Sequence, residues 1–216
     1  MARRLSIKRI SEFINRKVRE SKVVQFALRK AVEIRIRPLF NQIRQEMLDE
    51  FNNHPVTQEI DMGPKIRYQS KFLRGYGDLF SFIGFDKNDN PTEPVRRLIR
   101  GMRLFSVTSK GLDWIYEIRN FPTAQDIFNE TPIPWKDGMS WAKGIEEGIS
   151  GLGQYLNTET EYDPPRFRST MGVQIDGKTT LRPPFKTTKY ISDIVDRSRN
   201  KFIAISNTKL IPIQKK

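Results

Sequence analysis

The stretch Gly75-Tyr-Gly-Asp-Leu-Phe-Ser-Phe-Ile-Gly-Phe85 is the densest apolar run in the chain, and the fold prediction starts from it. The run is too short for a long helix, is bounded by glycine and is rich in aromatic residues, a combination that favours a buried strand. We therefore predict that it forms the central strand of a sheet, with Phe82 in the core. The polar turn Asp86-Lys-Asn-Asp-Asn90 follows it.

Composition limits the kind of protein and its chemistry. The chain has 216 residues, 37% of them hydrophobic, enough for one domain or for a core of about 150 residues with extended arms. Cysteine is absent and His54 is the only histidine. Disulfides, thiolate sites and multi-histidine zinc sites are therefore excluded, and a Ser-His-Asp triad would need His54 as its base. No apolar window approaches the roughly 20 residues of a membrane span, so we expect a soluble protein without membrane contact.

The N-terminal region has the pattern of a long helix. Apolar residues recur at helical spacing from Ser11 to about Arg37, with charged residues between them. Pro38 is expected to break or kink this helix, because proline removes a backbone donor. A second helical segment should continue to Phe51 and end at Asn52-Asn-His-Pro55.

Positive charge is concentrated in the same region. The net charge of +13 implies an anionic partner. The basic run is either a solvated helix face, as most charge runs are, or an arm or helix that faces nucleic acid or an acidic partner. The residues predicted to make that contact are Arg3, Arg4, Lys8, Arg9, Arg16, Lys17 and Arg19.

Turn and capping signals divide the middle of the chain into short elements. We expect a loop from Val56 to Arg74 with a weak strand near Ile66–Tyr68, and a short helix that begins after Thr92 and ends at Gly101. Thr123 opens an acidic variant of a capping box and predicts another short helix to about Asn129. The prolines of Thr131-Pro-Ile-Pro134 are expected to exclude regular structure there.

A β-hairpin is predicted between these two helices. Met102–Thr108 and Leu112–Arg119 are runs of strand-forming residues joined by a short polar and glycine segment. Trp114, Tyr116 and Ile118 alternate onto one face of the second strand, so one face should pack on helices and the other should be partly exposed or lie in an interface.

The C-terminal third mixes glycine-rich and polar segments. Trp141 to Tyr155 combines aromatic residues with closely spaced glycine, which favours a bent strand and a tight loop over a helix. A polar loop at 157–170 and a short strand at Met171–Asp176 should follow. A final helix is predicted from Thr188 to about Ser206, and residues 207–216 are predicted to form a tail.

Together these segments predict an α+β fold. A small antiparallel or mixed sheet would be flanked by a long N-terminal helix and a C-terminal helix, with extended arms and loops. The predicted organisation is a basic helical region with an N-terminal arm at 1–54, an α+β core at 55–206, and the tail at 207–216.

No motif predicts catalysis or a cofactor. The series Gly75-x-Gly77 and Gly144 to Gly153 lack the strand, lysine and serine context of a phosphate-binding loop. The turn at Asp86 has proline where a calcium loop needs glycine. Glu146 and Glu147, as neighbours on a predicted strand, would point to opposite faces and could not share an acid-base site. We expect no enzyme and no cofactor; a carboxylate-only metal site is the enzymatic alternative, which the scattered acids disfavour.

Several motifs in a fixed order carry a family resemblance. They are Trp141-Ala-Lys-Gly-Ile-Glu-Glu-Gly-Ile-Ser150, Arg182-Pro-Pro-Phe185 with the helix after it, His54-Pro-Val-Thr-Gln-Glu59 through Gly63-Pro64, and Gly75 to Phe85. In this pattern the chain resembles the tail-completion and head-tail joining proteins of long-tailed bacteriophages, a group that includes tail terminators and minor neck proteins. The long basic N-terminal helix and the polar insertion at Asn157–Arg168 depart from that family.

The resemblance implies a non-enzymatic structural protein of the virion, assembled in the host bacterial cytoplasm. It would form part of a ring, a hexamer by analogy, that links head or connector to tail around the DNA channel. Its partners would be copies of itself, other neck, connector or tail proteins, and DNA bound without sequence reading. The predicted interface residues are Trp141, Ile145, Tyr155, Pro183, Pro184 and Phe185. The alternative is a basic nucleic-acid-binding or ribosome-associated protein.

Overall fold

Helices dominate the structure, a computed structural model, and two small sheets complete an α+β fold, as the sequence predicted. The structure describes residues 11–12, 16–17, 20–64, 70–73, 78–110, 113–134, 136–148 and 187–206, without the side chains of residues 107–110, 113–114, 136–137 and 206. Within these ranges it contains seven helices and two antiparallel two-stranded sheets.

Four helices come first, followed by a hairpin, one helix, a second hairpin and two further helices. They are α1 (Lys22–Asn53), α2 (Pro55–Asp61), α3 (Leu79–Ile83), α4 (Glu93–Arg100), β1 (Arg103–Lys110), β2 (Asp113–Arg119), α5 (Ala124–Asn129), β3 (Pro132–Ile133), β4 (Lys136–Ser140), α6 (Trp141–Glu147) and α7 (Ile191–Ser206).

The long helix α1 continues through Pro38, so of the predicted break or kink at this residue the break was wrong. Proline in a helix interior costs about 3 kcal/mol. The turns after it bury Ile43, Met47 and Phe51 at 5%, 0% and 0% exposure, and each such side chain contributes about 1.5–3 kcal/mol. Burial of this face therefore outweighs the local cost of proline. The helix ends at Asn53, where the sequence predicted its end.

Leu79–Ile83, in the apolar run that was predicted to be the central strand, forms the short helix α3. Asp78 caps its N-terminus by accepting a hydrogen bond from the Ser81 N–H at 2.8 Å, and Gly84 ends it in the left-handed region at φ 87°. A residue with a side chain would be strained at that angle. All five residues of α3 are buried, and Phe82 is 4% exposed, so its predicted core position is confirmed.

Three other predictions about regular structure were also wrong. The segment predicted as a bent strand begins with helix α6, because Ser140 accepts a hydrogen bond from the Lys143 N–H and caps it. Helix α2 occupies the start of the predicted loop after Val56, and strand β3 lies between the prolines of the segment 131–134. The predicted strands at Ile66–Tyr68 and Met171–Asp176 and the loop at 157–170 lie outside the described residues.

The β1–β2 hairpin and its facing pattern are confirmed. The strands pair antiparallel, with Leu104 opposite Ile118 and Ser106 opposite Tyr116, and the register shifts once after Ser106. Leu104, Tyr116 and Ile118 are half-buried, whereas Ile115 is exposed on the other face. Burial raises the pKa of Tyr116, and the nearby Glu33 carboxylate of α1 raises it further. The half-buried face of the hairpin therefore lies towards α1.

The predicted Thr123 cap and the last helix agree with the structure, whereas Thr92 precedes α4 without a side-chain capping hydrogen bond. Thr123 forms the predicted capping box of α5: its hydroxyl accepts from the Asp126 N–H, and the Asp126 carboxylate accepts from the Thr123 N–H at 2.8 Å. Two hydrogen bonds from Thr123 lower the pKa of Asp126. Helix α4 ends at Gly101, and α7 buries Ile191, Ile194 and Val195, as predicted.

The chain forms two compact units. Unit 1 combines Met1–Gln42 with Arg103–Asn120, and unit 2 combines Ile43–Met102 with Phe121–Lys216. Unit 2 contains the core. Among the described side chains, Phe40 is the only hydrophobic one of unit 1 that is buried.

Candidate functional site

A buried carboxylate holds the start of α3 against α2. Glu59 is 3% exposed, and its Oε1 accepts a hydrogen bond from the Leu79 N–H at 2.9 Å. Burial raises the pKa of Glu59, whereas the hydrogen bonds from Ser70 and from the Leu79 backbone oppose that rise. The charge of nearby Asp78 raises this pKa further. Glu59 therefore serves as a backbone acceptor inside the core, because its oxygen satisfies a buried N–H.

A second buried contact joins the α1–α2 junction to the start of α7. The Thr57 and Tyr190 hydroxyls lie 2.5 Å apart, and burial raises the pKa of Tyr190. His54 caps α2, because its Nδ1 accepts a hydrogen bond from the Val56 N–H at 3.3 Å, and its ring lies 4.5 Å from the Tyr190 ring. Desolvation lowers the pKa of His54, while its hydrogen bond to the Lys189 backbone opposes that shift. The single histidine thus has structural partners at the start of α2 and in the backbone at Lys189.

A polar network connects α1, α2 and α4. Arg96 of α4 forms a charged hydrogen bond with Asp61 of α2 and donates to the Asn52 Oδ1 of α1 at 2.8 Å. Thr92 completes the network by donating to Asp61 at 2.5 Å. These groups are hydrogen-bonded to one another, so the network stabilises the fold and its polar atoms are occupied by one another.

Charged contacts also tie α7 to α1 and α6. Lys201 lies 2.9 Å from Glu46 and 2.9 Å from Glu50, and its hydrogen bonds to these two carboxylates raise its pKa. The Glu146 carboxylate accepts hydrogen bonds from the Ser192 N–H and hydroxyl, each at 2.6 Å. A carboxylate at a helix start both accepts orphan N–H groups and complements the helix dipole.

The surface of α1 in unit 1 is different, because apolar and basic side chains lie together in solvent. Val23, Phe26 and Ile34 are 77%, 69% and 66% exposed. Phe26 follows Val23 by three residues and Ile34 follows Phe26 by eight, spacings that place the three side chains on one face of the helix. We call this face the α1 stripe, and it consists of Val23, Phe26, Ala27, Lys30, Ile34 and Arg37, all of them exposed and none acidic.

The outer face of the hairpin is a second exposed surface of unit 1. Phe105 and Ile115 are 42% and 59% exposed, and the Arg119 guanidinium lies 4.5 Å from the centre of the Phe105 ring. Arg103 lies opposite Arg119 in the register, and Glu117 opposite Phe105. Among the described residues each strand pairs only with the other, so neither outer edge of this hairpin has a strand partner in that part of the chain.

A shallow cavity of about 230 Å³ lies in unit 2 between α5, the β3–β4 hairpin and α6. Gln125, Asn129 and Lys143 line its polar side, and Phe128 and Met139 its apolar side. Gln125 donates to Asn129 at 2.8 Å, and Lys143 lies 3.5 Å from Glu147. The polar groups around this cavity are therefore paired within the chain.

The predicted site residues fall into three groups. Arg16 and Lys17 are exposed and lie 3.8 Å and 3.5 Å from Glu20, while Trp141 and Ile145 are 1% and 0% exposed in the core of unit 2. A contact with a neighbouring subunit through these last two would require that core to open. The others, Arg3, Arg4, Lys8, Arg9, Arg19, Tyr155, Pro183, Pro184 and Phe185, lie outside the described residues.

The α1 stripe was not predicted from the sequence. The helical spacing of the apolar residues predicted one apolar face, whereas the structure half-buries Val24 and Val32 and leaves the stripe exposed. The spacing of Val23, Phe26 and Ile34 is a second helical pattern in the same segment, and it was available from the sequence. Two apolar patterns on one helix indicate two covered faces, of which one is covered by this chain.

In the part of the chain that the structure describes, no group of three or more His, Asp or Glu side chains is placed to hold a metal ion, and no helix is long and apolar enough to cross a bilayer. Comparisons of the chain with models of protein families, with curated proteins and with solved structures found no match.

Proposed function

We propose that this protein is a non-enzymatic structural subunit of a ring in the neck or tail-completion region of a bacteriophage virion. The resemblance of the sequence motifs suggests this class of protein. The observation that supports assembly into a ring is the hairpin of unit 1. Its two edges are chemically the same but lie on opposite sides, so the β2 edge of one copy can pair with the β1 edge of the next.

Pairing of this kind is head-to-tail, because each subunit contributes two different surfaces. Head-to-tail contacts generate a closed ring when the rotation between neighbours divides a full turn. Phe105 and Ile115 on the outer face add apolar area to such a contact. Other neck, connector or tail proteins would then cover the remaining exposed surfaces, and the genome would pass through the ring.

The experiment measures the mass and symmetry of the purified full chain by light scattering and negative-stain imaging. We expect a ring of defined copy number, hexameric by analogy. The variants Phe105→Glu and Ile115→Glu should weaken assembly while the far-ultraviolet dichroism stays unchanged, because both side chains are exposed. Asp126→Glu on exposed α5 is the control. A chain that stays monomeric at high concentration and binds no tail or neck component contradicts the proposal.

The second candidate function is nucleic-acid binding, and one observation favours it. Arg103, Phe105 and Arg119 bring two guanidinium groups and one exposed ring onto one hairpin face, a combination that stacks bases and neutralises phosphates. If this function holds, affinity for single-stranded RNA or DNA should fall steeply with salt, and Arg103→Ala should reduce the salt slope by about one. Binding with unchanged slope would exclude that contact.

A further inference from the structure

The α1 stripe is apolar and basic at once, and this double character limits what can cover it. Val23, Phe26 and Ile34 expose between 66% and 77% of their surface, and large side chains so exposed in a row mark an interaction site. A phosphate backbone would use Lys30 and Arg37 but would leave these apolar groups without a partner. The occupant must therefore bring apolar side chains as well as negative charge.

A second copy through the same face is disfavoured by charge. The stripe contains no carboxylate, so stripe-to-stripe pairing would bring Lys30 and Arg37 of one copy against those of another. The charge of the chain as a whole opposes other self-contacts of this face too. Unit 1 contains fifteen Lys and Arg residues against five Asp and Glu residues. The rest of the chain contains twenty-three Lys and Arg residues against twenty Asp and Glu residues, so both parts carry net positive charge.

We propose that the α1 stripe binds an acidic amphipathic helix of a different protein. Apolar side chains of that helix at spacings of three, four and seven residues would pack on Val23, Phe26 and Ile34. Its carboxylates would pair with Lys30 and Arg37, which lie two turns apart on the stripe. The inference goes beyond the ring: it gives the subunit a separate surface for a heterologous partner.

The experiment uses the full chain and a fluorescent helical peptide of repeated Leu-Glu-Glu-Ile-Leu-Glu-Glu heptads, with a second peptide in which Gln replaces every Glu. Anisotropy titrations should show binding of the acidic peptide and much weaker binding of the Gln peptide. Phe26→Ser with Ile34→Ser, and separately Lys30→Glu with Arg37→Glu, should each weaken binding by at least about tenfold. Lys71→Glu with Lys87→Glu makes the same charge change at exposed positions outside α1 and should weaken it far less.

Several results would overturn the inference. One is no binding of the acidic peptide, and another is binding that the stripe variants leave unchanged. A third is that the chain does not bind the peptide but binds phosphatidylglycerol vesicles or duplex DNA, and that the stripe variants abolish this binding. That result would assign the stripe to a membrane surface or to nucleic acid. Ring assembly is measured on the same variants by light scattering. Intact rings without peptide binding reject this inference alone, and peptide binding without rings rejects the ring alone.

Discussion

At the scale of single residues, the one histidine gives the chain a defined response to acid. His54 accepts from the Val56 N–H through Nδ1, and protonation at this nitrogen removes that cap. Burial lowers the pKa of His54 in the folded chain. The unfolded chain therefore takes up the proton first as the pH falls below the ordinary value of about 6.5. Stability is lost through that window down to the lowered pKa.

We expect His54→Gln to flatten the dependence of unfolding free energy on pH between about 5 and 7. The measurement is urea denaturation across this range, together with an NMR titration of the single imidazole signal. Glu59 acts in the opposite direction, because a raised carboxyl pKa makes the folded chain gain stability as the pH falls. Glu59→Gln is the matched control, and it should make the loss of stability on acidification steeper. An imidazole pKa at or above the ordinary value would contradict the assignment.

Phe82 tests whether the apolar run is core or interface. Its ring is 4% exposed within the chain. Phe82→Ala should lower the free energy of unfolding by roughly 3–5 kcal/mol, because it removes apolar contacts and leaves a cavity. Chemical denaturation measures this loss, with exposed Phe105→Ala as the control that should cost far less. A small loss for Phe82→Ala would place the ring outside the core.

At the scale of elements, caps decide whether the short helices form. Helix α3 has five residues, fewer than an isolated helix needs to be stable, so it depends on its cap and on burial. Asp78 accepts from both the N–H and the hydroxyl of Ser81 at 2.8 and 3.1 Å. The two ends are thereby set by Asp78 and by Gly84.

Asp78→Ala should destabilise the protein by about 0.5–2 kcal/mol or more, because the Ser81 N–H loses its acceptor inside the core. Asp78→Asn keeps an acceptor and should recover most of the stability. Thr123→Ala removes the equivalent cap on exposed α5 and is the comparison for a surface helix. Equal stabilities of the Ala and Asn variants at position 78 in denaturant titrations would show that the cap contributes nothing.

At the scale of the whole molecule, the two units differ in how much apolar surface they bury. Every described buried hydrophobic side chain except Phe40 belongs to unit 2. Unit 1 has a helix with an exposed stripe and a two-stranded hairpin, and isolated hairpins are only marginally stable. Local stability follows buried contacts, so unit 1 should open more readily than unit 2.

Hydrogen exchange measured by mass spectrometry should show this difference. Amides of α3, of α7 and of α1 after Gln42 are expected to exchange slowest, and amides of β1 and β2 faster. Assembly should then slow exchange in β1 and β2, because a neighbouring strand would occupy their outer edges. Uniform protection of both units in the monomer, or no change in the hairpin on assembly, would contradict this expectation.

The sequence by itself determined the features that depend on local chemistry. Helix α4 and the Thr123 capping box follow from caps and glycine stops, and the β1–β2 hairpin follows from alternation and β-branched residues. The α+β class follows from the mixture of these patterns. The charge excess, which favours an anionic partner, is also a property of the sequence alone.

Tertiary structure decided whether short apolar runs are helices or strands. The apolar run that ends at Phe85 is too short for its periodicity to distinguish a helix from a strand. The caps at Asp78 and Gly84, together with burial of all five residues, make α3 a helix. The same holds for Trp141–Glu147, which contains a glycine and therefore has a weak helix propensity. The Ser140 cap and the burial of Trp141 and Ile145 outweigh that propensity. Pro38 stays inside α1 because the turns after it are buried. In each case non-local packing contributed more free energy than the local preference.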